Sequence, residues 1–184
     1  METKLVKDIM LPLKHYAVVD MDCTLKDALI ALDKAQANLS GDRQPHRAVL
    51  VSDKKGSIIG KLGQLGFLKA LEPKYNTLGD VDRLSRVGVS EEFIDSMIDN
   101  MRFWQDDFSS FCFRAQIIKI KNVMHSVEES IDINASLVEA IHRMIMWQSL
   151  SILVRDKGEV TGILRLSDLF SEAAAVIKGG ECES

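Results

Sequence analysis

Ile152-Leu153-Val154-Arg155-Asp156-Lys157-Gly158-Glu159-Val160-Thr161-Gly162-Ile163-Leu164-Arg165-Leu166-Ser167-Asp168-Leu169 is the stretch that decides the fold. A β-rich run from Ser151 to Val154 meets a short turn, Asp156-Lys157-Gly158, whose glycine supplies the positive φ of a tight hairpin. A second strand over Glu159 to Leu164 follows, and then a helix from about Ser167 to Ile177. Upstream, Ser136 followed three residues later by Glu139 is a capping-box signature. It opens a helix with Leu137, Ile141, Met144 and Ile145 at helical spacing, and the extended run Ser130 to Ile133 precedes it.

The same order of elements occurs earlier in the chain. Val6-Lys7-Asp8-Ile9-Met10 matches Ile120-Lys121-Asn122-Val123-Met124 at an offset of 114. Thr24 to Leu29 matches Ser136 to Ile141 at 112, Val49 to Asp53 matches Ile152 to Asp156 at 103, and Gly60 matches Gly162 at 102. The order of the matches is kept and the offset only falls, as expected of two diverged copies with loop insertions. The first copy runs from an extended segment at Tyr16 to Val19 into a helix capped by Thr24 and Asp27, a shorter variant of the box. That helix carries Leu25, Ala28, Leu29 and Leu32. Strands at Ala48 to Val51 and Ser57 to Leu62 flank the turn Asp53-Lys54-Lys55-Gly56, and a helix covers about Gln64 to Leu71. Each copy therefore reads β-α-β-β-α.

Between the copies, Pro73, Asn76, Gly79 and Gly88 mark a loop. Ser90 then caps an amphipathic segment whose Phe93, Ile94, Met97, Ile98, Met101, Trp104 and Phe108 share one helical face. Burying a large apolar side chain is worth roughly 1.5–3 kcal/mol, so such a face is expected to pack on the repeats or on a second subunit. The expected division is repeat one at 1–71, a helical insert at 72–116, repeat two at 117–178 and a frayed tail at 179–184.

Composition narrows the function. Hydrophobic residues at 46% and charged residues at 27% exclude a disordered chain. A net charge of −4 gives no positive field for nucleic acid, which is not expected as a partner. No run of about 20 apolar residues is present to span a membrane, and the N-terminus lacks the apolar core of a signal peptide. Cys23, Cys112 and Cys182 form neither a disulfide framework nor a zinc motif, so a reducing, cytoplasmic setting is expected. His15, His46, His125 and His142 have no metal-ligand spacing, and no P-loop, nucleophile elbow or GxGxxG is found; neither a metal site nor an enzyme is expected. Cys112, among Phe108, Phe111 and Phe113, is read as packed.

Each copy resembles a cystathionine-β-synthase (CBS) domain, and the chain resembles a CBS pair. The family pattern opens with a V-x-D-V-M type segment, here Val6 to Met10 and Ile120 to Met124. A T-S-L-x-E-A helix start follows, here Cys23 to Ala28 and Ala135 to Ala140. The pattern closes with a D-x-G turn and a G-h-h-[ST]-x-x-D-L ending, where h is apolar. Copy two keeps the spacing closely, and copy one has extra residues after Met10 and within Ala35 to Arg47. The resemblance implies an α+β fold of two repeats stacked sheet to sheet about a pseudo-twofold axis, with two clefts between them. It also implies a regulatory module that takes AMP, ADP, ATP or S-adenosylmethionine and that commonly forms a homodimer.

In the family the acid of [ST]-x-x-D serves a ribose, a position held here by Asp168. The same residue also reads as ordinary helix N-terminal charge. Arg165 replaces the [ST] residue, and is read as a phosphate contact or as a strand-end side chain reaching solvent. Copy one has Gly63 and Gly66 at these positions and so no carboxylate; its cleft is expected to be empty or to take a different ligand. His46 and Arg47 are the cationic candidates for phosphate beside copy one. The adenine-slot candidates are Val18, Val19, Ala48, Ser130, Ile131, Ser149 and Ser151, which also fit ordinary packing. Phe93, Met97, Met101 and Trp104 are the candidate surface for a dimer or for a target protein. The competing expectation is a scaffold without a ligand that uses this surface alone.

Overall fold

The computed structural model describes residues 4–39, 44–72, 74–75, 88–103, 108–127 and 129–179. The first half contains α1 (Val6–Ile9), β1 (Leu11–Pro12), β2 (Val18–Asp20), α2 (Leu25–Ala37), β3 (Ala48–Ser52), β4 (Ile58–Gly63) and α3 (Gln64–Leu71). Two helices follow, α4 (Glu91–Met101) and α5 (Ser109–Ile117). The second half contains β5 (His125–Ser126), β6 (Ser130–Asp132), α6 (Leu137–Trp147), β7 (Ser151–Asp156), β8 (Glu159–Arg165) and α7 (Leu166–Gly179). The fold is α+β, with two four-stranded sheets ordered β2-β3-β4-β5 and β6-β7-β8-β1.

Strand alternation explains how the sheets stack, because successive side chains leave opposite faces. Val49 and Val51 join the core under α2, with Leu25, Ala28, Leu62 and Phe67. Ile152 and Val154 join the matching core under α6, with Ala140, Met144, Leu164 and Leu169. The residues between them, Leu50 and Leu153, point the other way and meet Leu11, Tyr16 and Ile163 in a third cluster. That cluster joins the inner faces of the two sheets, and its members are all under a tenth exposed.

The lead-in strands are exchanged between the halves. β1 pairs antiparallel with β8, Leu11 opposite Ile163, whereas β5 pairs with β4, Lys61 opposite His125. The backbone around α1 bonds to the second half, Val6 N–H to the Ala135 carbonyl at 2.9 Å and Lys7 N–H to Ile133 at 3.0 Å. In mirror fashion Leu25 N–H donates to Ile118 and Ile120 N–H to Cys23, both at 3.0 Å. The sheets thus divide the chain differently from the repeat boundaries at 71 and 117. Close approach of the exchanged strands explains Gly60 and Gly162. A Cβ at Gly162 would lie 2.7 Å from the Leu11 carbonyl oxygen, and one at Gly60 would lie 2.6 Å from Met124 Sδ.

The local signals behave as their chemistry dictates, with one reversal. Thr24 and Asp27 form the full reciprocal box: Thr24 Oγ1 accepts from Asp27 N–H at 3.2 Å and the Asp27 carboxylate accepts from Thr24 N–H at 2.9 Å. Ser136 makes only its own half, accepting from Glu139 N–H at 3.1 Å, because Arg143 holds the Glu139 carboxylate at 2.6 Å. The second hairpin turns on Lys157 and Gly158, both at positive φ (49° and 90°), the combination a two-residue type I′ turn requires.

The segment between the halves corrects the expectation of one long amphipathic helix to Phe108. α4 stops at Met101, where Arg102 turns left-handed at φ 48° and its carbonyl accepts from Lys74 Nζ at 2.8 Å. Of α4 only Ile94 is buried, Phe93 is 58% exposed, and Met97 and Met101 are half-buried. Trp104 and residues 180–184 of the expected tail lie outside the described residues. Phe108 is exposed, and Cys112, expected to be packed, is exposed on α5. The α5 backbone faces α2 and α3 instead, with Ala115 in the first core.

Candidate ligand-binding clefts

Two junctions between the halves bear the repeated ending motif. At the first, β8 delivers Arg165 to the start of α7, and the first turn of α7 places Asp168 beside it. The guanidinium grips the carboxylate with two parallel bonds, Nε to Oδ2 and Nη2 to Oδ1, each 2.6 Å. Such a fork-to-fork pair is among the strongest hydrogen-bonded arrangements. Nη1 reaches into the first half, donating to the Gln44 carbonyl at 2.7 Å and lying 3.4 Å from His46 Nδ1. The side chains of Arg165 and Asp168 are only 5% and 13% exposed.

His46 closes this junction. It is buried, with Tyr16 packed edge-on at 4.5 Å between ring centroids. Among the described residues its Nε2 has no hydrogen-bond partner. Burial first, then the nearby Arg165 charge, hold the imidazole below its usual pKa, against weaker opposing effects of the His15 backbone and Asp168. Burial pushes the Tyr16 phenol up to about 12, with Arg165 acting in the opposite direction. This junction is therefore filled by the protein's own side chains and its charges are matched internally.

The second junction is open. Lys61, His125, Ser126, Val127, Glu129, Trp147, Gln148 and Ser149 line a cavity of about 390 Å³ between the end of β4, β5 and the α6–β7 connection. Lys61 is half-buried and crosses between halves, donating from Nζ to Ser149 Oγ at 3.0 Å and to the Ser151 carbonyl at 2.9 Å. An ammonium has three donors, so among the described residues one N–H remains uncommitted. Burial lowers the Lys61 pKa, and Glu129 pulls it back up. Trp147 is 38% exposed, with the Arg143 guanidinium 5.6 Å above its ring. Gly66, the position matching Asp168, lies near this junction: a Cβ there would be 3.8 Å from His125 Nε2.

The residues singled out from the sequence are thus split. Asp168, Arg165 and His46 meet one another at the filled junction, and Arg165 is buried and does not reach solvent. Arg47 is exposed, and its carbonyl accepts from Gln64 N–H at 3.0 Å. Val19 and Ile131 belong to the helix-side cores, and Val18 is 38% exposed on its edge strand. Ala48 is half-buried at the start of β3, and the Ser130 carbonyl accepts from Arg143. Only Ser149 and Ser151 come to the open junction, as partners of Lys61. Sequence reading missed Lys61, His125, Glu129 and Trp147. The Gly60/Gly162 match carried a usable signal for the first of these: it aligns Lys61 with Ile163, a charge where the other copy has an inter-sheet core residue.

Residues 120–175 match the CBS domain family. No curated protein matches the chain in sequence. Solved structures match across almost its whole length. The CBS domain of a CBS domain containing membrane protein from Sphaerobacter thermophilus is 16% identical, with a TM-score of 0.60, covering 93% of this chain and 88% of that one. CBSX2 in complex with AMP is 15% identical, with a TM-score of 0.57 and coverage of 94% and 98%; a CBSX2 structure from Arabidopsis thaliana matches with a TM-score of 0.58 at 16% identity, covering 97% and 99%. The CBS domain of a bacterial CNNM/CorC family Mg2+ transporter in complex with ATP is 13% identical, with a TM-score of 0.56 and coverage of 93% and 87%. The sequence match over the second half, the exchanged sheets and the whole-length structural likeness agree: residues 120–175 match the CBS domain family, and the chain has the fold of CBS-pair structures.

Proposed function

We propose that the chain is a regulatory module that binds an adenine nucleotide of the AMP, ADP or ATP class in the cleft around Lys61. The observation that carries this reading is the half-buried Lys61 ammonium, with one uncommitted N–H, facing a cavity of about 390 Å³ between the halves. The volume lies in the range of small-molecule sites, roughly 300–1,000 Å³. Lys61 and His125 suit phosphate oxygens, the Trp147 ring and Val127 suit a base, and the Glu129 carboxylate suits the hydroxyls of a ribose. A cationic wall favours an anion over the sulfonium of S-adenosylmethionine. The structures of CBSX2 with AMP and of a CNNM/CorC family CBS domain with ATP support the ligand class. A ligand touching both halves shifts their relative orientation only by its differential affinity for the two arrangements. No catalytic residue is assigned.

Thermal unfolding with AMP, ADP, ATP and S-adenosylmethionine tests the reading. A nucleotide at 100 times its dissociation constant stabilises by about 2.7 kcal/mol. No shift with any nucleotide sinks it.

A second observation supports self-association. A cavity of about 420 Å³ between α6 and α7 is lined mainly by apolar side chains, including Ile145, Leu150 and Phe170, each at least 66% exposed. Leu65 and Leu68 of α3 are also more than half exposed. We read these helix faces, rather than α4, as the surface for a second copy, which light scattering of Ile145→Glu and Phe93→Glu variants separates.

A further inference from the structure

Lys61 joins the two halves as well as facing the cavity. Its Nζ leaves β4 and reaches Ser149 Oγ at 3.0 Å and the Ser151 carbonyl at 2.9 Å. Ser149 Oγ donates to the same carbonyl at 2.8 Å, so all three groups converge on the start of β7. Ser151 lies opposite Arg165 in the β7–β8 ladder. Arg165 returns to the first half through the Gln44 carbonyl at 2.7 Å, just ahead of β3, which pairs with β4. The contacts form a closed circuit through both halves, with one cation crossing at each junction.

The two crossings differ in what an incoming anion can offer. Arg165 already holds a carboxylate. Lys61 holds a hydroxyl and a carbonyl, both neutral, whereas a phosphate oxygen adds the attraction of opposite full charges to the hydrogen bond. We infer that a phosphate group entering the cleft draws Lys61 away from Ser149 and Ser151, releasing the tie on that side while the Arg165 crossing holds. Lys61 is then the residue through which an anion changes the relation between the halves. The inference rests on the proposed ligand cleft, but it concerns the phosphate and not the adenosine.

Hydrogen exchange of the full chain, read by mass spectrometry with ATP, inorganic tripolyphosphate or adenosine, tests it. ATP and tripolyphosphate speed exchange over residues 149–151 roughly tenfold, the equivalent of losing one charge-assisted hydrogen bond, and leave residues 44–47 unchanged; adenosine has no such effect. In Lys61→Met the same segment exchanges fast without ligand and ignores tripolyphosphate. Ser149→Ala, which removes only the hydroxyl, gives an intermediate basal rate and guards against a Lys61 variant that fails to fold. If ATP stabilises the wild type without faster exchange at 149–151, or if Lys61→Met responds as the wild type does, the inference is overturned and the nucleotide reading survives. Tripolyphosphate acting where no nucleotide binds upholds the inference and removes the adenosine. Silence with both anions ends both.

Discussion

At one junction of the two halves a guanidinium meets its carboxylate inside the protein; at the other an ammonium meets a hydroxyl and a carbonyl beside an open cavity. The backbone plan is the same, with a strand end feeding a helix start. What differs is the residue in the helix's first turn, Asp168 in one copy and Gly66 in the other. Where the acid is kept, it recruits Arg165, and burial of the pair is tolerable because every charge is answered. Where it is lost, the cation on the neighbouring strand hydrogen-bonds only neutral groups among the described residues, with Glu129 acting on it from across the cavity and not as a paired partner. A cleft that keeps the recognisable acid can therefore be the closed one, and the degenerate copy can hold the unanswered charge.

The largest test of this contrast is removal of each cation. Arg165→Ala strands a buried carboxylate and is expected to destabilise by about 3–5 kcal/mol in denaturant unfolding, with Arg165→Ala/Asp168→Ala recovering part of the loss. Lys61→Met loses two bonds from an ammonium to neutral acceptors, partly offset by removing a half-buried charge, and should cost about 1–2 kcal/mol, less than Arg165→Ala. Equal losses would dissolve the contrast.

The exchanged strands give the next effect. Gly162→Ala drives a methyl into the Leu11 carbonyl, a fixed backbone atom, and should cost about 1–3 kcal/mol. Gly60→Ala meets first the flexible end of Met124 and is expected to cost less in the same measurement.

Acid should act through the filled junction. The His46 pKa is depressed in the folded state, so the unfolded chain takes up a proton first as pH falls. Stability is full above the ordinary value of 6.5 and declines as pH drops below it, until the folded-state value is passed. His46→Phe should flatten that part of the pH–stability curve. An unchanged slope would remove His46 as its source. The smallest contrast is between the caps: Thr24→Ala should cost about 1 kcal/mol, and Ser136→Ala, which loses one bond and not a reciprocal pair, less.

Local chemistry made much of the fold legible. The apolar strand runs Ala48 to Val51 and Ser151 to Val154, the Lys157-Gly158 turn and the Thr24 and Ser136 caps each act over a few residues, and each appears where the sequence puts it. The exchange of β1 and β5 was not legible, because it depends on which edge lies nearest once both halves have folded. The open cleft was hidden for the same reason: Lys61 finds its partners 88 and 90 residues away. The Arg165–Asp168 pair is the exception. Its i, i+3 spacing was visible, but the family pattern cast both residues as ligand contacts and not as partners of each other. The end of α4 carries no glycine or proline to announce it; Arg102 takes the left-handed turn, and its carbonyl is met by Lys74, distant in sequence.

The reciprocal strands also bear on how the molecule is made. Residues 125–126 finish a sheet begun by residues 18–63, and residues 11–12 finish one built from residues 130–165. As the chain emerges from the ribosome, the outer side of β4 stays bare until position 126 has been translated, and a bare strand edge is a template for wrong partners. A truncation after the first half would freeze that vulnerable moment permanently, so neither half is an autonomous building block that evolution or an engineer can shuffle alone.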